Sequence, residues 1–157
     1  MTDLDFFVDV AVTGTVLGVG LADSPDAVTR VLGPDFRDDP KRVTLTRDYG
    51  LLEFFWSREH GLQPWQPFGF TVQAHRLPTV PVVDSLVHRY GQFCTRLPFA
   101  PLRAALERRG TRMEAAGDDR NYRHYRLPDS GVRIVVLASP WEDLEADDVW
   151  SIRSGPH

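Results

Sequence analysis

The sequence predicts an α+β fold in which a continuous antiparallel sheet carries helices on one face. Three observations point to this fold class. Segments with helical spacing stand beside short segments rich in β-branched and aromatic residues, turn residues separate the strand segments at short intervals, and the order of segments is similar in the two halves of the chain. With 157 residues, 42% of them hydrophobic, the chain is long enough for a single domain over residues 1–157.

Three segments are predicted to be helices. In the first, Ser24 can accept hydrogen bonds from free backbone N–H groups, Pro25 suits the first helical position, and Gly33 ends the helix. Apolar residues at helical spacing predict two further helices over residues 82–90 and 99–109, each followed by a glycine.

Eight segments are predicted to be β-strands, most of them because β-branched and aromatic residues dominate them. They are residues 6–12, 43–46, 51–56, 68–75, 112–115, 121–127, 132–138 and 148–153. Residues 128–131 are typical of a turn that joins the two neighbouring strands into a hairpin.

The order of helix and strands suggests two tandem repeats. In each half a helix ending at a glycine is followed by strands and by a loop that contains a tryptophan, Trp65 in the first half and Trp141 in the second. We therefore predict repeat halves over residues 16–77 and 98–154, joined by a connector over 78–97, with their sheets joined edge to edge.

Alternation along the strands predicts which side chains share a face of the sheet. The face toward the helices is expected to carry Leu52, Phe54, Phe68, Phe70, Val72, Ile134 and Val136. The opposite face is expected to carry Leu51, Glu53, Phe55, Thr71, Gln73, His75, Tyr125, Arg133 and Val135. A mixture of aromatic, polar and charged residues is typical of a protein-recognition surface, although a register shift by one residue would exchange the two faces.

The four tryptophans divide by their context. Trp56 and Trp150 lie in predicted strands and are expected in the core. Trp65 and Trp141 lie in loops, where each can either anchor a protein partner or fold back over the edge of the sheet.

The formal net charge of −4 argues against a nucleic-acid-binding protein that works through a broad basic surface. Acidic residues are concentrated in loops, above all in residues 142–148. Such a segment is either a solvated loop or a patch that meets a basic protein partner, such as a basic toxin domain. Glu142 and Asp143 are therefore candidate binding residues.

Residues that could carry catalysis form no recognisable motif. Cys94 is the single cysteine, so no intramolecular disulfide can form, and it is expected to be a small buried apolar residue. The five histidines lack metal-binding spacing. We predict no metal, no cofactor and no enzymatic activity.

The N-terminal segment lacks the features of a signal peptide, because Asp3, Asp5 and Asp9 stand where a positive region and an unbroken apolar region would be needed. No apolar run is long enough to span a membrane. We expect a cytoplasmic protein that does not bind membranes.

Two stretches resemble known families. Asp23-Ser24-Pro25, Val28 and Leu32-Gly33-Pro34 resemble the repeat of the beta-lactamase-inhibitor-protein-like and outer-membrane small lipoprotein superfamily. Tyr49–Trp56 and Val72–Leu77 are similar to stretches of small proteins from GC-rich bacteria that are regarded as immunity proteins of polymorphic toxin systems. These resemblances imply protein binding on a curved sheet without catalysis.

We therefore expect a protein-binding module that neutralises a partner, namely an immunity protein that blocks a bacterial toxin. The candidate partner-binding residues are Glu53, Phe55, Trp65, Thr71, Gln73, His75, Tyr125, Arg133, Trp141, Glu142 and Asp143. The alternative is a small-molecule-binding or regulatory domain, which would need a cavity between sheet and helices lined by Phe54, Phe70 and Trp150.

Overall fold

The computed structural model describes residues 1–156, which form four α-helices and one eight-stranded antiparallel sheet, so the α+β prediction is confirmed. The helices are α1 (Asp3–Thr13), α2 (Pro25–Leu32), α3 (Asp84–Tyr90) and α4 (Phe99–Arg108). The strands are β1 (Arg37–Pro40), β2 (Thr44–Asp48), β3 (Leu52–Ser57), β4 (Gln66–Val72), β5 (Glu114–Asp118), β6 (Tyr122–Leu127), β7 (Val132–Leu137) and β8 (Val149–Ser154). A short 3-10 helix covers Ala74–Arg76.

The strand order is β1-β2-β3-β4-β8-β7-β6-β5. Each run of four consecutive strands forms an antiparallel meander, and two helices precede each run along the chain. The two meanders meet where β4 pairs with β8, at Phe70 with Ser154, Thr71 with Arg153 and Val72 with Ile152.

The helices pack against one face of this sheet, which we call the core face. Helix and strand residues there form a single cluster of buried side chains. It includes the six expected core-face residues Leu52, Phe54, Phe70, Val72, Ile134 and Val136, together with Phe6, Phe7, Leu86, Leu102 and Leu106 from the helices. We call the opposite side of the sheet, which carries Glu53, Thr71 and Arg133, the open face.

The prediction of a strand over residues 6–12 is wrong, because this segment forms most of α1. Thr2 and Asp5 form a reciprocal capping box at its start, and Gly14 ends it in the left-handed conformation at φ 68°. Phe6, Phe7 and Val10 also fit helical spacing, so packing of this helix onto the core overrides their preference for strands.

Three of the predicted face assignments are also wrong, each for a local reason. Leu51 precedes β3 in a turn and is buried in the core instead of lying on the open face. A β-bulge in the pairing of β3 with β4 makes Phe68 the extra residue of β4, and it is 39% exposed. Tyr125 pairs with Ile134 on the core face, because the loop 128–131 pairs Leu127 with Val132 and so fixes the register.

Two further expectations fail where strands end or bulge. His75 was expected in a strand, but β4 ends at Val72 and His75 lies in the 3-10 helix. Trp150 was expected in the core, but a bulge in the pairing of β7 with β8 leaves it as the extra residue, and it packs with Tyr122 on the open-face side.

Among residues 1–156, no helix has both the length and the apolar character needed to cross a membrane.

Candidate functional site

Four of the predicted binding residues come together in one cleft at the end of the open face. His75, Trp141, Glu142 and Asp143 line this cleft, whose volume is about 120 Å³. Its other lining residues are Arg76, Pro78, Thr79, Leu144 and Trp150. We call it the aromatic cleft.

Trp150 is the central side chain of the aromatic cleft. Its ring stacks on the ring of His75 with 4.0 Å between centroids and an interplanar angle of 5°. Trp141 meets the Trp150 ring edge-on at 6.5 Å, and Tyr122 packs against it at 5.5 Å. The bulge in β8 turns Trp150 toward these partners, so the irregularity of the sheet creates the wall of the cleft.

The surroundings of His75 favour its neutral form. Burial lowers the pKa of His75, the hydrogen bond from its Nδ1 to the Trp150 carbonyl oxygen (3.1 Å) raises it, and the charge of Arg76 lowers it again. The net effect places the pKa of His75 below its usual value. His75 therefore contributes the flat face of an imidazole ring to the cleft, and a positive charge on that ring is disfavoured.

A tight hairpin places two carboxylates at the rim. Trp141 and Leu144 exchange backbone hydrogen bonds of 3.1 and 2.8 Å, so Glu142 and Asp143 form a two-residue turn. Glu142 adopts a left-handed conformation at φ 49°, which such turns require. Both side chains are exposed, and neither forms an ion pair within residues 1–156.

The base of this hairpin is held by arginines from elsewhere in the chain. Arg96 forms two hydrogen bonds of 2.7 and 3.0 Å to the buried Asp148 and one of 3.0 Å to Glu145. Arg123 pairs with Asp147. These contacts neutralise the carboxylates at the base and leave the negative charge of the segment at its tip.

Arg76 connects the aromatic cleft to the open face. Its guanidinium lies 2.5 Å from Glu53 Oε1 and 3.5 Å from Asp48 Oδ1, and it also donates to the Gly50 carbonyl oxygen. The positive charge of Arg76 is therefore compensated within the chain, and the uncompensated charge of the cleft is negative.

The other predicted binding residues fall into two groups, one on the open face and one packed against the core. Glu53, Phe55, Thr71 and Arg133 lie on the open face, and the amide of Gln73 lies 3.4 Å from Glu53 just beyond β4. Trp65 instead packs against the core under the guanidinium of Arg58, 3.8 Å from the ring centroid. Tyr125 stacks on Phe99 at 4.7 Å on the core face, so neither it nor Trp65 lines the aromatic cleft.

Sequence reasoning missed Trp150 and Arg76 as members of the site. A bulge interrupts alternation without a sequence signal of its own, so Trp150 looks like a core residue. Arg76 directly follows His75, and only the 3-10 turn brings its side chain back over Glu53.

The residues with catalytic potential do not come together in one site. Cys94 is exposed, contrary to expectation, and a hydrogen bond with Asp3 and the negative charge of that carboxylate raise the pKa of its thiol. His124 contacts Asp119 at 3.0 Å on the exposed end of β6. Within residues 1–156 no group of three or more His, Cys, Asp or Glu residues could hold a metal ion.

The residues expected to line a ligand cavity between sheet and helices are not arranged that way. Phe54 and Phe70 pack directly on each other with ring centroids 5.4 Å apart. Trp150 lies with His75 in the aromatic cleft. These three side chains therefore share no cavity.

The comparisons with known proteins add no relative, since no protein family, curated protein or solved structure matches the chain.

Proposed function

We propose that this chain is a cytoplasmic protein-binding module that neutralises its partner, as an immunity protein does when it blocks a cognate bacterial toxin. The observation that carries the proposal is the aromatic cleft, in which an exposed tryptophan, two uncompensated carboxylates and a histidine whose neutral form is favoured meet at the end of a sheet face. The mechanism is steric: the bound module covers the active site of the toxin and needs no chemistry of its own.

The size of the aromatic cleft suits one side chain of a protein partner. Sites for small molecules usually enclose about 300–1,000 Å³, whereas this cleft encloses about 120 Å³. Trp141 is 57% exposed at its edge, which is unusual for an aromatic residue of this size and typical of an interface anchor.

The chemistry of the cleft favours a basic side chain. Aromatic faces attract an ammonium or guanidinium group, and the carboxylates of Glu142 and Asp143 add attraction at the rim. We therefore propose that a Lys or Arg side chain of the toxin enters the aromatic cleft beside Trp141 and Trp150.

We also propose that the sheet arose from two tandem repeats. A helix pair precedes each four-stranded meander, and the strand order is symmetric about the contact of β4 with β8. On this proposal the halves begin at α1 and α3, so α3 belongs to the second half and not to the connector predicted over 78–97. The doubling gives a sheet face wide enough for a protein partner.

The experiment is co-expression with the product of each adjacent gene that is toxic when expressed alone. Wild-type protein should restore growth beside its cognate toxin. Trp141→Ala should raise the Kd of the complex roughly 30-fold, because the loss of an interface anchor costs about 2 kcal/mol of binding free energy. Leu62→Ala is the matched control, because Leu62 is 94% exposed and lies outside the cleft.

Two outcomes would count against the proposal. If every toxic neighbour stays lethal beside the wild-type protein, the neutralising role is wrong. If a neighbour is neutralised and Trp141→Ala binds it as tightly as Leu62→Ala, the aromatic cleft is not the anchor.

A further inference from the structure

A continuous row of cross-strand partners runs over the open face from edge to edge. Directly opposed pairs in neighbouring strands define it. In order from β5 to β1 the row consists of Glu114, Arg126, Arg133, Arg153, Thr71, Glu53, Asp48 and Arg37. Three arginines therefore stand side by side in β6, β7 and β8, and we call them the arginine row.

Such a row is unfavourable for an isolated sheet. Directly opposed residues have Cβ atoms about 4.5–5.5 Å apart, and like charges in that position destabilise a sheet. An anion bound beside Arg126, Arg133 and Arg153 would therefore relieve this repulsion.

The carboxylates of the same row do not compensate two of the three arginines. Glu114 pairs with Arg126 at 3.1 Å at one end of the row. Glu53 and Asp48 at the other end are both taken by Arg76, which lies outside the row. The carboxylates of the row are therefore already paired with other arginines.

Arg133 and Arg153 consequently stand without a carboxylate. Arg153 donates from Nε to the hydroxyl oxygen of Ser151 at 3.2 Å and forms no ion pair within residues 1–156. Arg133 is exposed and has no ion-pair partner in the described part of the chain. Two adjacent guanidinium groups remain available, and this group binds carboxylates with a geometry that fits both oxygens.

We propose that Arg133 and Arg153 bind carboxylates of an acidic segment of the protein partner. The inference rests on the proposed function, because it assigns a second contact to the same partner. Strands lie about 4.8 Å apart, so two neighbouring acidic side chains can each reach one guanidinium.

The surroundings of the arginine row favour a protein segment over a nucleic acid. No further arginine follows at either side, since Glu114 stands next to Arg126 and Thr71 and Glu53 follow Arg153, so a phosphate backbone that continued beyond the row would gain no further contacts. The net charge of −4 also disfavours a long polyanion. A short acidic stretch of protein fits this confined site because its charge is local.

The two sites together orient the partner. Arg153 and Trp150 lie three residues apart on β8, which corresponds to roughly 10 Å along the strand. The partner should therefore present a basic side chain to the aromatic cleft and acidic side chains to the arginine row at about that separation.

The test measures the binding of hexaglutamate, with hexaglutamine as the uncharged control. Binding is monitored by NMR through the Nε–H signals of Arg133 and Arg153. Hexaglutamate should shift both signals, and the affinity should fall at least fivefold between about 50 and 200 mM salt. Arg133→Gln with Arg153→Gln should lower the affinity about tenfold or more, while Arg133→Lys with Arg153→Lys should retain part of it.

The matched control is Arg108→Gln with Arg120→Gln, which removes the same charge from exposed positions outside the sheet. A loss of affinity equal to that of the row variant would overturn the proposal, and so would the absence of shifts with hexaglutamate. Tighter binding of a duplex oligonucleotide at the same arginines would assign the row to nucleic acid instead. Because growth rescue by the wild-type protein does not depend on this probe, each proposal can fail separately.

Discussion

Single residues decide how the charge of the acidic segment is distributed. Of the carboxylates in 142–148, those at the base are engaged by Arg96 and Arg123, while Glu142 and Asp143 have no such partner in the described chain. Sequence reasoning could locate the cluster from its composition. It could not tell which carboxylates are paired, since Arg96 is about 50 residues away along the chain and only the fold brings it close.

Asp148 is the residue on which we expect the hairpin to depend. Replacing it with Asn removes the charge that Arg96 binds and leaves a buried amide, so we expect a loss of about 2 kcal/mol in the free energy of unfolding. Urea unfolding at pH 7 measures this difference. Asp143→Asn, at an exposed and unpaired position, is the control and should change the stability by less than about 0.5 kcal/mol.

The same pair predicts a pH dependence. Burial raises the pKa of Asp148, but the hydrogen bonds from Arg96 and from the Glu145 N–H, with the charge of Arg96, lower it more, so the net pKa is lowered. The stabilisation by this ion pair is thus complete when the pH is above the pKa of Asp148 in the unfolded chain, about 3.9. It is lost as the pH falls through the lower pKa that Asp148 has in the folded protein. The difference between wild type and Asp148→Asn should shrink between about pH 5 and pH 2; a constant difference would contradict this origin.

At the scale of elements, the ends and irregularities of strands determine the site. Regular alternation correctly predicted the core side of β3, where only one face is buried. It also correctly placed Ile134 and Val136 of β7 on the core face, although Val135 and Leu137 on the other face are buried too. The two bulges and the 3-10 turn after β4 are produced by long-range pairing, so the positions of Phe68, His75 and Trp150 could not be predicted from neighbouring residues. The helix α1 escaped prediction for a related reason, since its partners lie in distant helices.

Gly155, directly after β8, lies in close contact with the backbone of β4. It has φ +107°, and a Cβ atom there would lie 2.5 Å from the Phe68 carbonyl oxygen and 2.8 Å from the Gly69 Cα atom. Gly131 also has a positive φ, of +75°, but a Cβ atom there would meet nothing within 4 Å. Substitution of the two glycines therefore distinguishes the cost of backbone strain, which both positions share, from the cost of steric overlap, which only Gly155 has.

We expect Gly131→Ala to lower the stability by about 1–2 kcal/mol through backbone strain alone. Gly155→Ala should cost about 1–3 kcal/mol more, because β4 and β8 must also move apart. Thermal or urea unfolding of the two variants measures the difference. Equal losses would show that the contact between Gly155 and Phe68 can relax without cost.

At the scale of the whole molecule, α1 connects the first half of the chain to the second. It precedes the first meander in sequence but packs against elements of the second half. Ser130 donates to the Ala11 carbonyl oxygen (2.7 Å), Tyr90 donates to Asp9 (2.9 Å), and Ser154 donates to the Gly14 carbonyl oxygen (3.4 Å). The pairing of β4 with β8 and the single buried cluster connect the same halves again.

This arrangement predicts that the two meanders unfold together. Native-state hydrogen exchange should give the slowest amides of β3 and β7 the same free energy of opening, because neither meander retains its core without the other. Phe7→Leu in α1 should lower both values equally, by about 1 kcal/mol, although Phe7 precedes the first meander. Leu62→Ala, in an exposed loop, should change neither. If Phe7→Leu lowered the protection of only one meander, the halves would be independent folding units, and the partner would meet two modules rather than one rigid face.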